Sequence, residues 1–160
     1  MMAGGSSHHA RLAANMIIEI GQFLKGKSCY VYTSDMRVYI PYKAEKKRFE
    51  HFVYPDASVS CSALDLKNQD RLQQPKVIIE VLSPSTEFYD RTDKFELYKR
   101  LNSLEDYVLV SHKEPKIEVF HKVPKQRETW VMTTYREGLF RISSIEFECP
   151  VDSVYESVKF

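Results

Sequence analysis

Cysteine is scarce in this sequence, and its three copies follow no recognisable spacing. Cys29, Cys61 and Cys149 are odd in number and far apart, with no Cys-x-x-Cys pair among them. This pattern lacks the usual zinc-ligand spacing and gives no sign of a disulfide framework. We therefore expect three reduced and partly buried thiols, as in a cytoplasmic protein.

Long apolar runs and an excess of charge of one sign are also missing. No stretch approaches the ~20 apolar residues that a membrane-spanning helix requires. Residues 1–9 contain neither the basic nor the apolar segment of a signal peptide. The formal net charge is only +1, so a surface for DNA would have to come from local clustering of basic residues. We expect a cytoplasmic protein with no membrane partner.

The composition is typical of a folded domain. The chain has 160 residues, of which 43% are hydrophobic and 28% charged, and it can bury a substantial core. No repeat or low-complexity linker divides it, so we predict a single domain over residues 1–160. The order of helix, strands, helix and strands predicts an α/β (α+β) fold with a central β-sheet.

Hydrophobic periodicity locates the main elements. Apolar residues at helical spacing predict a helix over residues 10–25, and an unbroken apolar run predicts a strand over 76–83 that is covered on both faces. Alternation predicts the remaining strands, charged stretches predict loops, and a second apolar stripe predicts a second helix. These strands are at 28–42 (broken near 34–35), 53–61, 107–111, 117–121, 129–135 and 139–142, the loops at 43–50 and 65–74, and the helix at 90–101.

Two carboxylates stand out from this pattern. Glu80 interrupts the most apolar strand, on the face that it shares with Ile78 and Leu82. A buried carboxylate needs a cation, a metal ion or strong hydrogen bonds. Asp56 follows Pro55 on another predicted strand, and two such carboxylates with the Val81 carbonyl could share one Mg²⁺. Alternatively, Glu80 forms an ion pair with an arginine, and Pro55-Asp56 is only a turn.

A lysine on the second predicted helix could complete this site. Lys94 lies at helical spacing with Leu97, Tyr98 and Leu101, so it belongs to the face turned toward the sheet. Asp90, four residues earlier, could hold its ammonium group. A fixed cation near a scissile phosphate would stabilise the charge that develops there. Alternatively, the two residues form an ordinary surface pair.

Several motifs together resemble the Uma2 family of bacterial endonucleases, a branch of the PD-(D/E)XK superfamily that was formerly listed as a domain of unknown function. The resemblance covers nearly the whole chain, and the opening residues 2–9 are similar to the first turn of that family. The motifs that carry it are Tyr54–Val59, Glu80–Thr86, Tyr89–Tyr98 and Ser103–Val110.

The resemblance implies a restriction-endonuclease-like fold, with a mixed central β-sheet flanked by α-helices, and hydrolysis of DNA that depends on Mg²⁺ (or Mn²⁺). It assigns the metal to Asp56 and Glu80. The superfamily usually places its lysine two residues after the second acid, where this chain has Leu82. The family pattern moves that lysine to the following helix, as Lys94.

The resemblance also implies supporting roles and a partner. His9 matches a family histidine that could contact substrate or metal, or could cap the helix, and Glu19 could be an auxiliary metal ligand. The relatives usually open with a further helix and strand, which we expect this protein to lack. Their loss would expose an edge of the sheet, which favours a homodimer.

Two functions remain open at this stage. The set Asp56, Glu80 and Lys94 favours a DNA endonuclease, whereas Leu82 and the missing N-terminal segment favour a catalytically inactive module that binds nucleic acid or protein on the same fold. The basic run within residues 43–48 could grip phosphates, but a solvated loop is the more common reading of such a run.

Overall fold

The structure, a computed structural model, describes residues 6–126 and 128–160. Of the turn predicted over residues 2–9, residues 2–5 therefore lie outside the described residues, and residues 7–9 lie in the first helix. Within the described part, no helix is both long enough and apolar enough to cross a membrane. The helices are α1 (Ser7–Leu24), α2 (Ala63–Lys67), α3 (Glu87–Arg91), α4 (Asp93–Tyr98) and α5 (Val151–Val154), with a 3₁₀ turn at Ser143–Ile145. The strands are β1 (Tyr30–Thr33), β2 (Val38–Ala44), β3 (Lys47–Val53), β4 (Ala57–Ser60), β5 (Pro75–Val81), β6 (Asp106–Val110), β7 (Ile117–Lys122), β8 (Trp130–Tyr135), β9 (Leu139–Ile142) and β10 (Phe147–Pro150).

A six-stranded mixed sheet organises the fold. Its strand order is β1-β4-β5-β6-β7-β8, with β5 and β6 parallel and the other neighbours antiparallel. Strands β9 and β10 form a separate hairpin, as do β2 and β3. The predicted class, a mixed central sheet flanked by helices, is confirmed.

Strand β5 is buried on both faces, as its apolar run predicts. Val77, Ile79 and Val81 pack in the core formed with α1. Ile78 and Leu82 pack in a second core, formed with α4. Because side chains alternate along a strand, Glu80 shares the face of the second core.

The predicted loop over residues 43–50 is wrong. Strands β2 and β3 pair through this region, with Tyr42 opposite Phe49 and Lys43 opposite Arg48. The rings of Tyr42 and Phe49 stack with their centroids 5.5 Å apart, which stabilises the pairing. The sequence does not show the alternation of apolar and polar residues expected of strands here. Charged residues take both faces, because this part of the hairpin has no fully buried face.

Two smaller expectations are corrected. The helix predicted at 90–101 begins earlier, at Glu87, and breaks at Thr92 into α3 and α4. The loop predicted at 65–74 begins inside α2, where buried Asp65 accepts hydrogen bonds from the Ser60 hydroxyl and nearby backbone amides. Buried carboxylates of this kind are held in place by such donors.

The expectation of three free thiols is also wrong. Cys29 and Cys61 form a disulfide, and only Cys149 is a free, buried cysteine among the described residues. The bond links the residue before β1 to the residue after β4, and these two strands are neighbours in the sheet. Their separation of 32 residues matches no disulfide motif, so only the strand pairing brings them together.

Candidate active site

Asp56 lies at the start of β4, beside the end of β5. The antiparallel register pairs Ala57 with Ile79, which places Asp56 next to Glu80 and Val81 across the strand pair. The backbone N–H of Val81 donates to Asp56 Oδ2 over 2.7 Å. This bond fixes the carboxylate at the edge of the site, where it keeps partial contact with solvent.

Glu80 is almost wholly enclosed, with 2% of its surface exposed. Its Oε1 lies 2.7 Å from Lys94 Nζ and accepts a hydrogen bond of 3.0 Å from the Tyr98 hydroxyl. Burial raises the pKa of Glu80 to about 8, because Lys94 offsets only part of the lost hydration while Asp56 and Asp90 add to the rise. Two carboxylates, those of Glu80 and Asp90, thus contact one ammonium group.

Lys94 reaches the sheet from α4, as its position on the helical face predicts. Its Nζ lies 3.5 Å from Asp90 Oδ1 and 3.5 Å from the Tyr54 carbonyl oxygen. Burial would lower the pKa of Lys94, but the Glu80 carboxylate and then Asp90 raise it above its ordinary value. The ammonium group is therefore held charged by its neighbours.

Asp90 is positioned across the break between α3 and α4. The Tyr107 hydroxyl donates to the Asp90 backbone carbonyl over 2.7 Å. Burial raises the pKa of the Asp90 side chain, against the opposing effects of Thr86 and Lys94. Asp90 therefore contacts Lys94 four residues later although the helix is not continuous.

His9 comes to the same place from the first turns of α1. Its Nε2 lies 3.3 Å from Asp56 Oδ2. Asp56 raises the pKa of His9, against the effect of burial, and the Val81 backbone adds to the rise, as an accepting carbonyl oxygen does. His9 thus contacts Asp56, one of the groups that the sequence assigned to a metal.

Glu19 does not join this cluster. It lies on α1 ten residues after His9, about 15 Å along the helix axis. Its neighbour is Cys149, whose thiol has its pKa raised to about 12 by burial and by Glu19. The structure therefore gives no support to Glu19 as an auxiliary metal ligand.

Sequence reasoning missed part of the role of Tyr98. We expected it in the core, and it is fully buried there, but its hydroxyl also donates to Glu80. Its place on the same helical face as Lys94, four residues later, was the available signal. A buried tyrosine hydroxyl needs a partner, and a carboxylate on the facing strand is a strong acceptor.

The chemistry of the donor set fits a hard divalent cation. The negative charges of Asp56 and Glu80 repel each other, and a cation bound between them would relieve this repulsion. Within residues 6–126 and 128–160, no three His, Cys, Asp or Glu side chains converge as a metal site. A cation here would therefore need backbone oxygen and water as further ligands, as Mg²⁺ commonly does.

Comparisons with known proteins establish the fold. The chain has a TM-score of 0.71 and 16% identity with a crystal structure described as "a putative nuclease belonging to DUF820" from Anabaena variabilis, over 97% of this chain and 83% of that chain. At this identity, the likeness concerns the fold alone.

Sequence comparisons establish the family. The chain is 34% identical over 94 residues to the uncharacterized protein slr1290 of Synechocystis sp., which covers 59% of this chain and 46% of that protein. It thus matches about half the length of this curated relative. Residues 1–150 match the family Uma2, described as "Putative restriction endonuclease". The resemblance seen in the motifs is therefore confirmed, and the chain belongs to the Uma2 family.

Proposed function

We propose that this protein is an endonuclease that hydrolyses phosphodiester bonds of DNA with the help of Mg²⁺ or Mn²⁺. The observation that carries the proposal is the meeting of Asp56, Glu80 and Lys94 at one end of β5. Two acids and one lysine suit the hydrolysis of a phosphodiester. The carboxylates can bind a metal ion, and the lysine ammonium group can stabilise the negative charge on the phosphate that is cleaved.

Asp56 and Glu80 would hold the cation, with the Val81 carbonyl as a further oxygen ligand. When bound, the cation would lower the pKa of a water molecule and stabilise the charge that develops on the phosphate. Because His9 contacts Asp56, we assign it a supporting role at this end of the site.

Lys94 would neutralise the scissile phosphate or orient the attacking water. Asp90 and the Tyr54 carbonyl also contact its ammonium group, so Lys94 would keep two partners when a cation takes its place beside Glu80. Leu82, at the position where the superfamily usually has lysine, is buried in the second core and cannot take this role. The contact between Lys94 and Glu80 supports the relocation of the lysine to α4.

The test is cleavage of supercoiled plasmid and linear DNA by the purified protein with Mg²⁺ or Mn²⁺, with and without a chelator. Glu80→Gln keeps the shape and hydrogen-bonding capacity of the side chain, so we expect an intact fold and a loss of cleavage of at least ~100-fold. The matched control is Glu148→Gln, which changes an exposed glutamate on β10 that pairs with Arg141 on β9. This variant should cleave normally. Equal cleavage by the native protein and the Glu80 variant would refute the proposal.

A binding module without catalysis is the second candidate. The enclosure of Glu80 by Lys94 and Tyr98 favours it, because a carboxylate that already has two donors has no evident need of a metal. This candidate gains if the folded native protein binds DNA but leaves plasmid intact with either metal.

We also propose that the protein forms a homodimer. Strand β1 is an edge strand of the six-stranded sheet in the described part of the chain, and an edge offers backbone groups to a second copy. Light scattering at micromolar concentration would measure the mass, and a monomer would refute the dimer.

A further inference from the structure

The β2–β3 hairpin, residues 38–53, projects from the rest of the fold as a ribbon. Its two strands pair with each other and, among the described residues, with no strand of the six-stranded sheet. At its base, Val38 and Ile40 are fully buried in the second core. Toward the tip, most side chains are exposed, so the ribbon is anchored at one end and free at the other.

Positive charge is concentrated at the free end. The six residues 43–48 carry four basic side chains and one acidic one, in a chain whose net charge is only +1. All four basic side chains are exposed, and none has an ion-pair partner among the described residues within 4.0 Å. They are Lys43, Lys46, Lys47 and Arg48. Unpaired surface cations in such a cluster are suited to phosphate groups.

Aromatic rings and arginines reinforce the ribbon along its length. The guanidinium of Arg100 lies 3.7 Å from the ring centroid of Tyr42, and that of Arg37 lies 4.5 Å from the ring of Phe52. Phe49 and Phe52 are 43% and 38% exposed, although large apolar side chains favour burial. The ribbon thus offers both cations and flat apolar faces to a ligand.

The base of the ribbon leads directly into the candidate active site. Asp56 follows the end of β3 by three residues, and the Tyr54 carbonyl between them accepts from Lys94. From Val53 to Lys47, the strand extends about 20 Å. That distance corresponds to about six base pairs of duplex.

We propose that this ribbon binds duplex DNA and holds it across the active site. A two-stranded ribbon fits the major groove, and the four tip cations would contact the phosphates that border it. This proposal rests on the proposed function, because it names the element that holds the substrate of the same site.

The test is DNA binding without cleavage. Fluorescence anisotropy of a labelled duplex in the presence of a chelator would give the affinity between about 50 and 200 mM salt. We expect the ribbon variant to bind at least about tenfold more weakly, with a slope of log affinity against log salt that is smaller by about three to four. The variant combines Lys43→Ser, Lys46→Ser, Lys47→Ser and Arg48→Ser.

A matched control removes four lysines from other surfaces: two just after α1, one at the end of β7 and one in the connection from β7 to β8. It should bind nearly as the native protein does, and both variants should keep the native melting temperature because all but one of the substituted side chains are exposed. The control combines Lys25→Ser, Lys27→Ser, Lys122→Ser and Lys125→Ser.

The outcomes separate this proposal from the proposed function. An unchanged affinity and salt slope in the ribbon variant would overturn the ribbon proposal, even if the protein cleaves DNA. Loss of binding in the ribbon variant alone would support it, even if the native protein never cleaves. No duplex binding by the native protein, or a clear preference for duplex RNA, would overturn it.

Discussion

Lys94 Nζ lies 2.7 Å from Glu80 Oε1, and both side chains are largely withdrawn from solvent. The Tyr98 hydroxyl donates to the same oxygen, so one carboxylate oxygen takes both an ammonium and a phenol as partners. The pairing is therefore part of the fold as well as of the candidate active site. Each of its members should affect stability separately from any effect on catalysis.

Replacement of Lys94 should destabilise the protein. Lys94→Met leaves Glu80 and Asp90 without their cation, and we expect the free energy of unfolding to fall by about 2–3 kcal/mol. Lys113→Met, which removes an exposed lysine paired with Glu87, should cost less than about 1 kcal/mol. Urea denaturation at about pH 9, above the pKa of Glu80, would measure both, and equal losses would contradict the structural role of Lys94.

The stability of the chelated protein should depend on pH through Glu80. Its ordinary pKa of 4.5 rises to about 8 in the fold, so the folded state binds more protons than the unfolded state between these values. The contribution of Glu80 is thus fully present below about pH 4.5 and is lost as the pH rises to about 8. Comparison of denaturation curves for the native protein and Glu80→Gln isolates this contribution. A difference between them that does not change with pH would show that Glu80 keeps its ordinary pKa.

Removal of the Tyr98 hydroxyl should have a moderate cost. Tyr98→Phe deletes the hydrogen bond to Glu80 while the ring still fills its place in the core, and we expect a loss of about 1–2 kcal/mol. Tyr89→Phe serves as the control, because its side chain is 42% exposed. Thermal or urea unfolding would reveal the difference, and a neutral Tyr98→Phe would mean that the bond contributes nothing net.

Reduction of the disulfide should lower stability. The Cys29–Cys61 bond closes a loop of 32 residues, for which loop entropy gives about 3–4 kcal/mol. We expect dithiothreitol to lower the melting temperature of the native protein and to leave the Cys29→Ser/Cys61→Ser variant unchanged. If the reductant has no effect on either protein, the bond is absent in solution.

The core of the site could be predicted from the sequence because its residues conflict with their surroundings. Glu80 lies inside an apolar strand, and Lys94 lies on an apolar helical face, so each needs a partner. Alternation also places Glu80 on the correct face of β5. The resemblance to the family then singles out Asp56, which in isolation reads as a turn residue.

What could not be predicted depends on contacts between distant segments. The disulfide between Cys29 and Cys61 follows from the pairing of β1 with β4, which no local pattern reveals. The β2–β3 ribbon lacks a buried face near its tip, so charge conceals its strand character. The contact of His9 with Asp56 requires the packing of α1 against the sheet, which periodicity predicts only as an amphipathic face.

The central claim is that Asp56 and Glu80 hold one divalent cation, and anomalous diffraction from crystals grown with Mn²⁺ tests it most directly. We expect a peak at about 2.1 Å from a carboxylate oxygen of each residue, with Lys94 Nζ displaced from Glu80. Crystals of the Glu80→Gln variant grown under the same conditions should lack this peak. An intact pair of Lys94 and Glu80 with no peak beside Asp56, at saturating Mn²⁺, would contradict the claim.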